Sequence, residues 1–108
     1  MIFFRAMILI AGLGVSCFSW AQATHYDKPV LIVHSPDTRD CVFFQLSGVT
    51  VADPVTPGVP WFALPKTHLG YKEIVSMLLM ARVTGKTITV ATSGGLACGH
   101  AEILNASY

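Results

Sequence analysis

Four histidines are the side chains of this 108-residue chain that titrate near neutral pH, so a zinc site or a general base would need at least one of them. They are His25, His34, His68 and His100. Their spacing fits no metal-binding motif, although His34 and His100 fall on predicted strands and could meet in the folded chain. We therefore expect histidines at the surface or at the ends of elements, and neither a metal nor another cofactor.

The serines do not follow the pattern of a catalytic nucleophile. A serine hydrolase needs a hydroxyl beside a histidine that an acidic group orients, and no nucleophile-elbow pattern is present. Ser93-Gly94-Gly95 is not followed by the helix that a phosphate-binding loop requires, so it predicts a turn. We expect no enzymatic activity, and a small hydrolase stays open only as a third hypothesis.

Three aromatic residues, Trp61, Phe62 and Tyr71, could form a platform on which sugars or bases stack. Trp61 and Phe62 stand in an apolar run, so packing in the core or at an interface is the simpler interpretation and sugar binding the functional one. Beyond residue 23, six basic residues balance six acidic ones. A neutral domain has no net attraction for nucleic acid or for an anionic membrane, and neither is expected as a partner.

Residues 1–23 have the pattern of a signal peptide. One positive charge lies in Met1–Arg5, Ala6–Phe18 is apolar, and Ala21-Gln22-Ala23 supplies small residues around a cut after Ala23. The apolar run is short of the ~20 residues of a membrane-spanning helix, which argues against an anchor. Lipidation at Cys17 stays open, although the usual leucine three positions earlier is absent. Export to the periplasm or the cell exterior would leave one domain, residues 24–108.

Export places the other two cysteines, Cys41 and Cys98, in an oxidising compartment, where a small domain gains from a covalent link. We predict a disulfide between them, worth roughly 4 kcal/mol for a loop of this length in the chain-entropy model. A reactive or metal-binding thiol pair is the alternative, and the absence of a CxxC spacing argues against it.

Three strands are predicted in the first half of the domain, from β-branched and aromatic runs bounded by turn residues. They are Val30–Val33, Cys41–Val51 with a bend at Gly48, and Trp61–Leu64. The second strand is expected to be the longest and the most central. Between the second and third strands, Asp53–Pro60 holds three prolines and a glycine and predicts a loop.

One helix is predicted from Tyr71 to Thr84, with Glu73 in its first turn and Gly85 as a C-terminal stop. Its core-facing stripe is predicted to comprise Ile74, Val75, Leu78, Leu79 and Ala81. Met77 and Met80, on or beside this stripe, are expected to fill the core or to make a subunit contact.

Two more strands, Thr87–Thr92 and His100–Leu104, complete the order β-β-β-α-β-β, with the predicted turn of residues 93–95 between them. This is the element order of a five-stranded OB-fold barrel, in which the helix closes one end. The predicted fold is therefore mostly β, an OB-fold-like barrel with one helix between strands three and four. A small α+β sandwich has the same element order and stays the alternative.

The segment from Tyr71 to Val90 resembles the helix, Thr-Gly turn and fourth strand of small exported bacterial OB-fold proteins. Among these are the B subunits of AB5-type toxins, such as the subtilase-cytotoxin type. The resemblance implies a non-enzymatic binding subunit, often one of five in a ring, that recognises cell-surface glycans. It carries over no sugar-binding residue.

The sequence thus predicts an exported binding or interaction module without a cofactor. A glycan or a protein would bind through the loop 52–60 and the region of Trp61, and a homo-oligomer would present several copies at once. Trp61, Phe62 and Tyr71 are the candidate ligand-binding residues. The alternative function is that of a monomeric periplasmic protein, associated with the cell envelope, that binds no sugar.

Overall fold

A computed structural model describes residues 22–36 and 38–108. The predicted signal peptide, apart from Gln22 and Ala23, lies outside the described residues, and so does the possible lipidation site at Cys17. The part described is a small, mostly-β domain in which a five-stranded sheet closes in a ring and a single helix packs against it. Mostly-β character, five strands and one helix are as predicted.

The strands are β1 (Thr24–His34), β2 (Cys41–Leu46), β3 (Phe62–Pro65), β4 (Thr87–Ala97) and β5 (His100–Ser107), and the helix α1 (Tyr71–Thr84) lies between β3 and β4. Around the ring the strands follow the order β1-β2-β3-β5-β4. All neighbours are antiparallel except β3 and β5, which are parallel.

Strand β1 begins six residues before the predicted Val30, because its first half pairs with β4 while its second half pairs with β2. Thr24 lies opposite Ala91, and Val33 lies opposite Phe44. The register with β4 shifts between His25 and Lys28, and Asp27 in that interval has a φ of 49°. β1 is therefore hydrogen-bonded first to β4 and then to β2 along its length. The pairing of residues 24–29 with β4 was not predicted, because this segment is polar.

The predicted ends of two strands were wrong. Strand β2 stops at Leu46 and is shorter than β1 and β4, because the chain turns at Gly48 with a φ of 80°. Residues 93–95, predicted as a turn, lie inside β4, where the register with β5 shifts between Thr92 and Leu96. The reversal comes instead at Cys98 and Gly99, which both have positive φ values, as a tight hairpin turn requires.

The bounds of α1 are confirmed at Tyr71 and Thr84, and Gly85 ends the helix in the left-handed conformation with its N–H on the carbonyl of Ala81. Its buried face is narrower than predicted. Ile74, Leu78 and Ala81 enter the core, whereas Leu79 is 49% exposed and Met80 56% exposed. Within residues 22–36 and 38–108, no helix is both long and apolar enough to cross a membrane.

Side chains from all five strands and from α1 form one apolar core inside the ring. Phe44 of β2 and Phe62 of β3 lie at its centre, stacked with ring centroids 4.9 Å apart and planes 8° from parallel. A second, smaller cluster lies outside this core and is formed by Cys41, Phe43 and Ala63, with Trp61, Ala97 and Cys98 packed against it. A surface pocket is built on this second cluster.

Candidate functional site

An open pocket of about 220 Å³ lies beside the second cluster; we call it the aromatic pocket. Its lining residues are His34, Pro36, Arg39, Phe43, Trp61 and His100. Pockets for drug-sized ligands usually have about 300–1,000 Å³, so this one suits a single small ring. Among the described residues, those that line it include no carboxylate.

Strand pairing brings the aromatic pocket together from distant parts of the chain. His34 is the last residue of β1 and lies opposite Phe43 of β2, which in turn lies opposite Ala63 of β3. Trp61 directly precedes β3, and His100 begins β5. The pocket therefore lies where the face of β2 and β3 meets the β1–β2 and β4–β5 connections.

Phe43 is the centre around which the other pocket residues are arranged. The His100 ring meets it edge-on, at 5.1 Å between centroids and 82° between planes. The Arg39 guanidinium carbon lies 5.6 Å from the Phe43 centroid, within the range of a cation–π contact. Arg39 Nη1 also donates a hydrogen bond of 3.3 Å to the carbonyl of Cys98. A guanidinium has five N–H groups, so donors remain for a ligand.

The predicted disulfide is confirmed: Cys41 and Cys98 are bonded, with their Cα atoms 6.5 Å apart. Cys41 begins β2 and Cys98 lies in the turn between β4 and β5, so the bond fixes that turn against the β2 end of the pocket. Because Cys98 also supplies the carbonyl that accepts the hydrogen bond of Arg39, the disulfide helps to position this arginine in the pocket.

The three predicted ligand-binding residues are not brought together. Trp61 lines the aromatic pocket and is partly exposed, while Phe62 is fully buried against Phe44 in the core. Tyr71, at the start of α1, is partly buried and packs against that core. Successive strand residues point to opposite faces, which separates Trp61 from Phe62.

Sequence reasoning missed Phe43 and Arg39 as pocket residues. Phe43 looked like any other member of an apolar strand, and Arg39 like a charge in a turn. His34 and His100, which fall on predicted strands, both line the pocket. His100 Nδ1 is buried without a hydrogen-bond partner among the described residues. Such atoms are rare in folded proteins, and they call for an explanation beyond packing.

The other two histidines have local structural roles. His25 Nε2 lies 2.7 Å from the carbonyl of Ala52, and the ring meets Phe62 edge-on. His68 accepts the N–H of Gly70 at Nδ1 and, through Nε2, hydrogen bonds to the carbonyl of Leu104 at 2.9 Å. In the described part of the chain, no group of three or more His, Cys, Asp or Glu side chains is placed to hold a metal ion.

A second pocket, of about 360 Å³, contains a serine, a histidine and a glutamate, the residue types of a hydrolytic triad. Their hydrogen bonds do not connect them in that way. Ser93 Oγ donates directly to Glu102 Oε1 at 2.8 Å, and both nitrogens of His68 are engaged by backbone groups. This geometry does not pair the Ser93 hydroxyl with an available imidazole base, so it does not activate the serine for attack.

The proline-rich loop is held by its own hydrogen bonds. Asp53 is fully buried and accepts the N–H of Val55 at Oδ1, an Asx-type turn, and its carbonyl accepts the N–H of Thr56. Ala52 donates to the carbonyl of Val59 and so closes the loop. None of residues 52–60 lines the aromatic pocket, although the loop leads directly to Trp61. Of the predicted ligand region, the described pocket includes only the end at Trp61.

Comparisons of the chain with protein-family models, with curated proteins and with solved structures give no match. The class of protein is therefore defined by the fold and the site alone. It is a small disulfide-linked β domain with an aromatic pocket that contains arginine and histidine. No particular family is shown for the chain.

Proposed function

We propose that this protein is an exported binding module that holds an acidic sugar in the aromatic pocket and catalyses no reaction. The observation that carries the proposal is the pocket's composition. A partly exposed indole and a guanidinium that is hydrogen-bonded to the backbone line the same pocket, and no carboxylate lines it among the described residues. An indole offers an apolar face for a sugar ring, and a guanidinium offers paired donors for a carboxylate.

The position of the pocket supports an OB-fold interpretation of the ring. OB-folds bind oligosaccharides and oligonucleotides on the face of strands two and three and through the loops β1–β2 and β4–β5. Phe43 belongs to β2, Trp61 precedes β3, Arg39 lies between β1 and β2, and His100 follows the β4–β5 turn. We therefore propose that the ring is an OB-fold-like barrel. The neutral charge of the domain favours a sugar over a nucleic acid.

The predicted signal peptide fits the same proposal. A signal peptide would deliver the domain to the periplasm or the cell exterior, where the disulfide is stable and where surface carbohydrates are found. The likeness of residues 71–90 to toxin B subunits stays a prediction, as does assembly into a homo-oligomer. Several copies in one particle would turn a weak single-site affinity into strong binding to a glycan surface.

Trp61 provides a direct assay for the proposal. It is the only tryptophan after residue 23, so the tryptophan emission of the processed protein, excited where tyrosine does not absorb, reports on the aromatic pocket alone. We would titrate the processed protein with a uronic acid and with the corresponding neutral hexose. We expect a saturable emission change with both, at a concentration at least about tenfold lower for the acid, because hydrogen bonds to charged groups contribute roughly 1.5–3 kcal/mol.

Glu102→Gln is the matched control, since it changes a carboxylate in the second pocket and leaves the aromatic pocket untouched. We expect its titration curves to equal those of the wild type. The absence of a saturable change with either sugar would contradict the proposal. Light scattering on the same sample tests assembly, and a monomer that binds no sugar would favour the alternative, an envelope-associated protein.

A further inference from the structure

The two residues that precede β1 belong to the folded domain. Ala23 N–H donates to Thr92 Oγ1 at 2.9 Å, and the Ala23 carbonyl accepts both the Thr92 N–H, at 2.8 Å, and the Thr92 hydroxyl, at 3.2 Å. Gln22 adds a bond of 3.2 Å from Nε2 to the carbonyl of Ser93. The pairing of the first strand with β4 therefore already begins at Ala23.

Thr92 depends on these bonds because it is buried, with only 2% of its surface exposed. Its hydroxyl and its backbone N–H both find their partners in the Ala23 backbone. A chain that began at Thr24 would lose all three bonds. The terminal ammonium group of Thr24 would then lie next to the Thr92 N–H, which had donated to the Ala23 carbonyl. Both groups are hydrogen-bond donors, so they cannot bond to each other. The loss of three hydrogen bonds, each worth about 0.5–1.5 kcal/mol, destabilises the domain, so this terminus does not suit the fold.

We infer that signal peptidase cuts after Ala21, so that the mature protein begins at Gln22 and keeps Ala23. This inference rests on the export that the proposed function includes. Ser19 and Ala21 supply the small residues at positions −3 and −1, as Ala21 and Ala23 do for the later cut. Water hydrolyses the Ala21–Gln22 peptide bond, which leaves a carboxylate on Ala21 and a free α-amine on Gln22.

Mass spectrometry of the N-terminal peptide tests the inference on the full chain, expressed in a bacterium and purified from its periplasm or medium. We expect a peptide that begins at Gln22, either as the free amine or as the lactam that terminal glutamine forms with loss of ammonia. A peptide that begins at Thr24 would overturn the inference and leave the export proposal intact. An uncut chain confined to the cytoplasm would contradict both.

Two substitutions separate the two cleavage sites. A large residue at −1 or −3 blocks signal peptidase, so Ala23→Leu blocks the cut after Ala23, and Ser19→Leu blocks the cut after Ala21. We expect Ala23→Leu to be processed to Gln22 in the same yield as the wild type, and Ser19→Leu to lose the Gln22 terminus, either by accumulating as precursor or by a shift of the cut to the bond after Ala23. Normal processing of Ser19→Leu together with a block in Ala23→Leu would overturn the inference.

Discussion

At two places in the chain, Phe43-Phe44 and Trp61-Phe62, two adjacent aromatic residues have different surroundings. One residue of each pair lies in the core, and the other lines the pocket. Phe44 and Phe62 stack inside the ring, where both are fully buried. Phe43 of β2 and Trp61, which directly precedes β3, are each one residue earlier in the chain and line the aromatic pocket. The alternation of a β-strand separates the two residues of each pair, so one short segment of each strand supplies both the core and the candidate site.

The two faces also differ in what holds them together. The core face rests on apolar packing contributed by all strands and by α1. The pocket face has only a few buried residues and is tied across by the Cys41–Cys98 bond and by the contacts of Arg39. We therefore expect substitutions on the core face to affect stability, and those on the pocket face to affect binding.

Phe62→Ala is expected to have the largest effect. The change removes the stack on Phe44 and the edge contact with His25, and it leaves a cavity in the centre of the core. Truncations of this kind cost about 3–5 kcal/mol, a large part of the about 5–15 kcal/mol by which domains are stable. Urea unfolding of the processed protein measures the loss. A loss below about 1 kcal/mol would show that this ring is not at the centre of the core.

Removal of the disulfide, by Cys41→Ser together with Cys98→Ser, is expected to reduce both stability and binding. The loss of stability is roughly 4 kcal/mol in the chain-entropy model. Binding should weaken as well, because the Cys98 carbonyl that holds Arg39 then lies on a turn without its link to β2. Urea unfolding and sugar titration on the same sample measure the two losses. Unchanged affinity in the folded fraction would show that the turn keeps its place without the bond.

The pattern of residues in the sequence predicted more of the fold than of the candidate site. The first and last residues of the helix were predicted correctly, because its periodicity, the acidic residue in its first turn and Gly85 are all signals in the local sequence. The disulfide was predictable because few pairings of cysteines exist. The long β1 and the continuation of β4 through Ser93, Gly94 and Gly95 were not predictable, because ring closure supplies partners for residues that do not favour a strand by themselves.

The pocket was only partly predictable, for a related reason. Trp61 was identified as a candidate by its residue type. The sequence does not show that Trp61 lines the pocket while its neighbour Phe62 is buried, because this depends on the register of the strands. Arg39 becomes a pocket residue only through its contacts with Phe43 and Cys98, which come from two other elements. A site built across strands depends on register, and register depends on the whole ring.

Trp61→Ala is expected to weaken binding with little loss of stability, and so to distinguish the role of the pocket face from that of the core face. The indole is partly exposed and lies outside the main core, so we expect a loss of stability well below that of Phe62→Ala, about 1 kcal/mol. The affinity for a uronic acid should fall about tenfold, because the indole would cover roughly 60 Å² of apolar surface of the sugar ring, at about 25 cal/mol per Å². Calorimetric titration replaces fluorescence, since the fluorophore is gone. Equal affinities in wild type and variant would place the ligand elsewhere.

Arg39→Gln is expected to change the stability least and the specificity most. The residue is exposed, so the free energy of unfolding should stay within about 0.5 kcal/mol of the wild type. Glutamine keeps an N–H donor but removes the charge, and the preference for a uronic acid over its neutral hexose should disappear while the hexose affinity stays unchanged. Arg82→Gln, in the last turn of α1, makes the same change in net charge at a residue that does not line the pocket and should keep the preference. If both variants lost it equally, the preference would reflect the overall charge of the domain, and the guanidinium beside Phe43 would not be the group that binds the carboxylate.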